Sequence, residues 1–392
     1  MLFTSIVLAI SSVIGAPLPL AASGAQGKPD DGARARLRDL GIIVGHLRPG
    51  TLNAITDVPG VLVGQVTVSE GDGPAAARTG VTAILPHGGD LWNSKVPAAT
   101  SVLNGNGEMT GATWLNTQGA VDVPILLTNT MNIPRVADGV LAYMLQKYPG
   151  IGRTDDVVIP VVAECDDSTL NDARGRHVTP EDTMKAIRAA KPGPVEEGSV
   201  GAGTGMVAYE FKGGIGTASR VLAGSDGGWT VGVLVNANMG VRSDLTVAGV
   251  QAGLEMTERP VKATGGSIIA VIATDAPLDH LKLQRLATRA GVGLARTGST
   301  VRHGSGDLFL AFSTGNRVPH YPKESTYAMR VVDDDHLDPL FEAAEEATEE
   351  AILNSMTAAK TVIGRDGNTA YAIPLDHLRE VMSKYPRPAG SR

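Results

Sequence analysis

Cysteine is nearly absent from this chain of 392 residues: Cys165 is the only one. A single thiol excludes an internal disulfide and any CxxC redox or metal pair. Nothing in its neighbourhood points to thiolate activation, so it reads as a small packed residue. Zinc finds no motif either, because HExxH does not occur and the eight histidines are scattered. Charge is sparse and balanced, with 34 basic against 41 acidic residues and no local run of Lys and Arg. A net charge of -7 without a basic patch offers a polyanion no footprint, which excludes nucleic acid as an expected partner.

Familiar nucleotide and hydrolase loops are missing too. The stretch "GAGTGM" at 201–206 has Met206 where a dinucleotide loop needs its third glycine, and GxxxxGK[ST] is nowhere found, so backbone turns account for these glycines. No serine satisfies GxSxG, since "HGSGD" and "GGSII" both break the pattern. His303, in the first of these, stands near Ser305 in sequence. Such close neighbours rarely face each other productively, and a loop histidine is expected. No solenoid-type repeat occurs.

What is present is a core-forming composition, 43% hydrophobic with only 19% charged, which suits a compact globular protein. An apolar stretch from Leu2 to Ala16, prolines at 17 and 19 and then small residues predict a secretory signal cut after Ala25. That stretch is shorter than the roughly 20 residues a membrane span needs. The expectation is a periplasmic or secreted protein, free of the membrane once residues 1–25 are removed. No later segment is apolar enough to cross a bilayer.

The runs "VLVGQVTV", "GVTAILP", "VVIPVVAE", "GMVAYEF", "WTVGVLVNAN", 267–274 and 307–314 read as strands. Helices are predicted at 133–148, from Thr179 as N-cap with Pro180 at the first position, at about 279–290, and after Leu337. In the last, Leu340, Phe341, Ala344, Ala347 and Ile352 form an apolar face, and Glu345, Glu346, Glu349 and Glu350 are expected on a solvated one. Helices layered around apolar strands point to an α/β or α+β sandwich.

One junction carries chemistry. In "KATGGSIIAVIATDAP", Ser267 follows Gly265 and Gly266 and opens a run that reads as a buried strand. Breaking the Gly266–Ser267 bond gives one residue both a hydroxyl and a free α-amine. An α-amine titrates near 8, against about 10.4 for lysine, so much of it is neutral and able to take the hydroxyl proton. Glycine before the serine imposes no Cβ and leaves the backbone free for an N-to-O acyl shift. A loop entering a core strand explains the same pattern without chemistry, and the junction alone does not choose.

The longer motifs choose. "RDLGIIVGHLRPGTLNAITDVPGVLVG", "RTGVTAILP", "LNGNGEMTG", "GSVGAGTGMVAYEFKGGIGTASR", "TVGVLVNANMG", "GGSIIAVIATDAPL" and "GSGDLFLAFST" resemble those of the DmpA-type aminopeptidases over roughly residues 38–384. These are self-processing L-aminopeptidase/D-amidase-esterases and β-peptidyl aminopeptidases. The resemblance implies a four-layer αββα sandwich of the DmpA/ornithine acetyltransferase type, similar to N-terminal nucleophile hydrolases, assembled as a homotetramer. It implies cleavage between Gly266 and Ser267 into an α chain (26–266) and a β chain (267–392) of one domain.

It further implies Ser267 as nucleophile, Asn238 as oxyanion donor with Asn236 as fallback, and Ser305 and Asp307 as partners of the new amine. Glu164 would receive the free amine of a short peptide, amide or ester. Some members carry an aromatic two residues after that glutamate; here Asp166 stands there, and Asp167 is expected to make the same pocket edge more acidic. No cofactor or metal is implied. Three rivals remain: an acyltransferase of the ornithine acetyltransferase type, an amide-oligomer hydrolase, and an exported binding protein on the same fold. Threonine nucleophiles in the first two argue against them.

Overall fold

The computed structural model describes residues 31–261 and 266–385; the expected signal segment lies outside them. The longer strands are β1 (Leu62–Glu70), β2 (Ala77–Leu85), β3 (Ser94–Gly105), β4 (Ile125–Asn129), β5 (Val161–Cys165), β6 (Gly214–Val221), β7 (Thr230–Asn238), β8 (Gly266–Thr274) and β9 (Ser305–Ser313). The helices are α1 (Ala112–Gln118), α2 (Ile133–Lys147), α3 (Pro180–Arg188), α4 (His280–Arg296), α5 (Asp338–Thr357) and α6 (Leu375–Ser383).

One sheet runs β1-β2-β4-β5, and the larger runs β3-β9-β8-β7-β6 with short edge additions at β3. Strands β6 to β9 of the larger sheet are buried on both faces. In β8, Ile268, Ala270 and Ile272 pack in one core with residues of α4 and α5 such as Leu286, Ala290, Ala347 and Ile352. Its alternate residues Ile269, Val271 and Ala273 share the second core with Val81, Leu127 and Val162 of the smaller sheet. Two-sided burial is why this strand reads as an unbroken apolar run rather than an alternation. With α2 and α3 packed against the smaller sheet, the layers are αββα. β8 and β9, which follow the junction, lie between β3 and β7, which precede it, so the two parts of the chain share a core.

Local signals place the helices well. Thr179 caps α3 by accepting from the Asp182 N–H at 3.1 Å, and Asp182 accepts from the Thr179 N–H at 3.0 Å, a reciprocal capping box ahead of Pro180. Asp279 caps α4 through the Lys282 N–H at 2.9 Å. That helix runs on to Arg296, beyond the expected end near 290, through Gly291 and Gly293. A Cβ at Gly293 would lie 2.6 Å from the Glu345 carbonyl oxygen and from the Thr348 Cβ, so this glycine admits α5 at close range rather than ending α4.

Two expectations are corrected. The run "GMVAYEF" is a tight hairpin, Val207–Ala208 against Phe211–Lys212, turned by Tyr209 (φ 49°) and Glu210 (φ 59°). Positive φ at both central residues suits the twist of a hairpin, yet neither residue type signals it. The acidic face of α5 is not solvated: Glu346, Glu349 and Glu350 are buried. Arg220, fully buried on β6, meets Glu346 and Glu350 at 2.8 Å each. Glu350 also pairs with Arg38 at 2.8 Å and accepts from the Asn53 amide at 2.6 Å, while Arg296 holds Glu349 at 2.5 Å. Burial opposes ionisation of Glu350, but Arg220 and Arg38 hold its carboxyl below the ordinary value.

Removing one partner of a buried pair strands the other charge. Glu350→Ala is expected to cost about 3 to 5 kcal/mol in denaturant unfolding, whereas Glu345→Ala, at the half-exposed edge, should cost less than about 1 kcal/mol. Equal losses would contradict this account of α5.

Candidate active site

Four strand ends meet at one place. β8 and β9 run parallel with their N-termini side by side, pairing Gly266 with Ser305 and Ser267 with Gly306. β7 runs antiparallel to β8 and ends with Asn238 opposite Ser267. From the facing sheet, β5 delivers Glu164 near its C-terminal end. Above them opens a cleft of about 890 Å³ whose walls include Ser267, Ser305, Glu164, Asp166 and Thr130.

Ser267 is nearly buried, and its hydroxyl donates to the carbonyl oxygen of Gly266 at 2.6 Å while accepting from the Gly306 N–H at 3.3 Å. The hydroxyl therefore rests against the carbonyl of the peptide bond that precedes it. Ser305 Oγ lies 3.6 Å from where a Cβ on Gly266 would stand, beside the same bond, and donates to Asp307 Oδ1 at 2.8 Å. Asp307 Oδ2 is buried with no hydrogen-bond partner among the described residues. Burial pushes the Asp307 carboxyl above its ordinary value, and the Ser305 bond pulls the other way. An unpartnered carboxylate oxygen in such a place is suited to a cation.

Asn238 is fixed at both ends of its amide. Oδ1 accepts from the Val207 N–H at 2.8 Å, and Nδ2 donates to the Asp166 carbonyl at 2.8 Å, which leaves one N–H of the amide unused. Neither Asn238 nor Asp307 forms the cleft wall; both stand directly behind it. Asn236, two residues earlier on β7, is fully buried, its amide finds no partner among the described residues, and it does not line the cleft.

Glu164 is 3% exposed and accepts from the Glu108 N–H at 3.0 Å and from the Thr130 hydroxyl. Burial raises its carboxyl above the ordinary glutamate value, against the pull of those two bonds. Asp166 lines the cleft as expected, but Asp167 does not. Its side chain turns into the protein, where Asn129 and Asn171 donate to it at 2.8 and 2.9 Å and burial pushes its carboxyl up to about 7. Alternation along the chain separates the two neighbours. Cys165 is fully buried between the sheets, with its thiol pushed up by burial, and His303 is exposed with its carbonyl held by Asn104. Both match their non-catalytic readings.

Thr130, the Glu108 N–H and the Gly306 N–H were not singled out by sequence reasoning. Backbone donors carry no side-chain signature, and Thr130 reaches Glu164 only because β4 and β5 pair in parallel.

An αββα sandwich presenting a serine hydroxyl at the head of a central strand, with hydrogen-bond donors and carboxylates around it, defines a serine hydrolase on the N-terminal-nucleophile plan. The chain belongs to peptidase family S58, whose model matches residues 53–370. It is 42% identical over 379 residues to the β-peptidyl aminopeptidase BapA of Sphingosinicella microcystinivorans, covering 91% of this chain and 94% of that protein. Among solved structures, a Burkholderia β-aminopeptidase is 45% identical with a TM-score of 0.86, over 90% of this chain and 100% of its own. The L-aminopeptidase D-Ala-esterase/amidase of Ochrobactrum anthropi, a variant of the Ntn hydrolase fold, is 42% identical with a TM-score of 0.83, over 89% and 98%. The chain is a serine aminopeptidase, a hydrolase of peptide bonds; the acyltransferase alternative is not favoured.

The raised carboxyl of Glu164 has a measurable sign. A group whose folded pKa lies above its unfolded one costs stability as pH rises from the unfolded value, about 4.3 for glutamate, through the folded value. Glu164→Gln, in a Ser267→Ala background to keep both chains uncut, should therefore gain Tm over its parent as pH rises from about 4 to 7. A Tm difference independent of pH would contradict the assignment.

Proposed function

We propose that Ser267 first cuts its own chain and then serves as the nucleophile of an aminopeptidase acting on short peptides, amides and esters with a free amine. The observation that carries this reading is the Ser267 hydroxyl seated on the Gly266 carbonyl. In the first step Oγ adds to the Gly266 carbonyl carbon, the Gly266–Ser267 C–N bond breaks, and the departing nitrogen takes up the proton. Water then cleaves the resulting ester, which leaves a Gly266 carboxylate and a Ser267 that carries hydroxyl and α-amine together.

Each later role has its support. The α-amine takes the hydroxyl proton when Oγ attacks a substrate carbonyl, with Ser305 and the open oxygen of Asp307 placed to orient it. The Asn238 amide donates to the developing oxyanion through its unused N–H. Glu164 pairs the substrate ammonium, and binding that cation offsets the cost of its own burial. The names of the relatives favour N-terminal β-amino acids, beside the L-amino acids and D-alanine that the Ochrobactrum enzyme's name gives. Assembly as a homotetramer of αβ units and export to the periplasm or beyond belong to the same reading, the latter supported by the apolar stretch at 2–16.

Denaturing electrophoresis with N-terminal sequencing should find two fragments, the smaller beginning SIIAVIAT, and Ser267→Ala should remain one inactive chain. A purified active protein lacking a Ser267 start sinks the mechanism. Asn238→Ala should lower kcat by roughly 100- to 1,000-fold with a smaller change in KM, because the donor acts mainly on the transition state. A change confined to KM would make Asn238 a ground-state binding residue. Acetyl-capped peptides should be resisted, and Glu164→Gln should lose most activity on free-amine substrates. Similar kcat/KM for capped and free peptides would replace the aminopeptidase reading by a broader amidase.

A further inference from the structure

Lys212 ends the hairpin beside β7 and takes no part in the chemistry above, yet it is fully buried. Its Nζ donates to the carbonyl oxygens of Gly203 at 2.9 Å, Met206 at 2.8 Å and Gly213 at 2.8 Å, and it makes no ion pair among the described residues. Three acceptors match the three N–H bonds of an ammonium, although burial pulls its pKa down to about 7. Burying a cation is costly even though Asp167 lies near enough to favour its charged form. The arrangement therefore calls for a reason in what the three carbonyls hold.

One of them leads to the site. The Met206–Val207 peptide unit is gripped at its carbonyl by Lys212, and at its other end the Val207 N–H donates to Asn238 Oδ1 at 2.8 Å. That bond decides which way the Asn238 amide faces, because a flipped amide would set its NH2 against the Val207 N–H. With Oδ1 claimed, Nδ2 points to the Asp166 carbonyl, with one N–H left unused. A cation on the carbonyl also polarises the peptide and strengthens its N–H as a donor. The third carbonyl, Gly213, immediately precedes β6, whose first residue Gly214 pairs with Ala237 next to Asn238. Lys212 thus ties the loop at 203–206 to the strand pair that carries Asn238.

We infer that Lys212 is a positioning residue that acts through the Met206–Val207 peptide to hold the Asn238 amide in its donating orientation. This rests on the proposed role of Asn238 as oxyanion donor. The same orientation serves self-cleavage and turnover, since Ser267 Oγ is the attacking atom in both.

The test is a double-mutant cycle between Lys212→Met, which keeps length without charge, and Asn238→Ala, read in steady-state kcat and KM and in the rate of self-cleavage. Lys212→Met should lower kcat by about tenfold or more with KM nearly unchanged, as for a displaced transition-state donor. In the Asn238→Ala background the same change should alter kcat less than about twofold. Equal losses in both backgrounds, or an unchanged kcat in Lys212→Met, would overturn the inference. If Asn238→Ala itself leaves kcat intact, the oxyanion assignment fails instead, which separates the two readings. Should Lys212→Met not fold, Lys212→Gln, which keeps an NH2 donor without the charge, takes its place in the cycle: a kcat below wild type that changes less than about twofold in the Asn238→Ala background is expected, and equal losses in both backgrounds or an unchanged kcat overturn the proposal.

Discussion

The parallel pairing of β8 with β9 is the contact on which the active centre depends. Parallel neighbours need a crossover, supplied here by α4, and that crossover brings two strand N-termini to the same edge of the sheet. Ser267 and Ser305 are thereby neighbours across the ladder although they stand 38 positions apart in the chain. Asp307 follows on the same strand and reaches Ser305. Antiparallel β7 then sets Asn238 opposite Ser267, because register alone places the two. A one-residue slip of either pairing would turn the amide or the hydroxyl to the other face of the sheet.

Around this edge the protein buries charge with purpose. Glu164, Asp307 and Lys212 sit in surroundings that disfavour their ionised forms, each for the same reason of desolvation. Their settings differ in what remains open. Lys212 has every donor used; Asp307 keeps one oxygen unpartnered, and Glu164 faces the cleft. A closed set holds structure, and an open one can receive a ligand cation or a new amine. The Arg220, Glu346 and Glu350 cluster is of the first kind, far from the cleft lining, and pins α5 onto β6.

Cleavage before Ser267 is compatible with this architecture because the core spans the junction. β3, β6 and β7 precede the bond, β8 and β9 follow it, and all five share one sheet. The connection before the junction is also anchored: Arg242 donates to the carbonyls of Met256 and Glu258, and Glu255 and Glu258 pair with Lys384 and His377 of α6 and its end. A swing of the whole connection away from the pocket is thus opposed as far as Glu258.

The family, the strand at 267–274, the capped helix at Thr179 and the Gly-Ser junction were all legible in the order of residues, because caps, apolar runs and long motifs are local. The resemblance also named Ser267, Asn238, Ser305, Asp307 and Glu164, which the fold brings to one end of the sheets. What local signals could not contain was partnership across the fold. The acids of α5 look solvated until Arg220 and Arg38 arrive from elsewhere, and Asp167 looks like Asp166 until alternation and two asparagines turn it inward. "GMVAYEF" looks like a strand because nothing in its residue types announces two positive φ angles. Lys212 gains meaning only from the three carbonyls around it. Tertiary structure decided these cases because burial of a charge is stable or ruinous according to partners that lie far away in the chain.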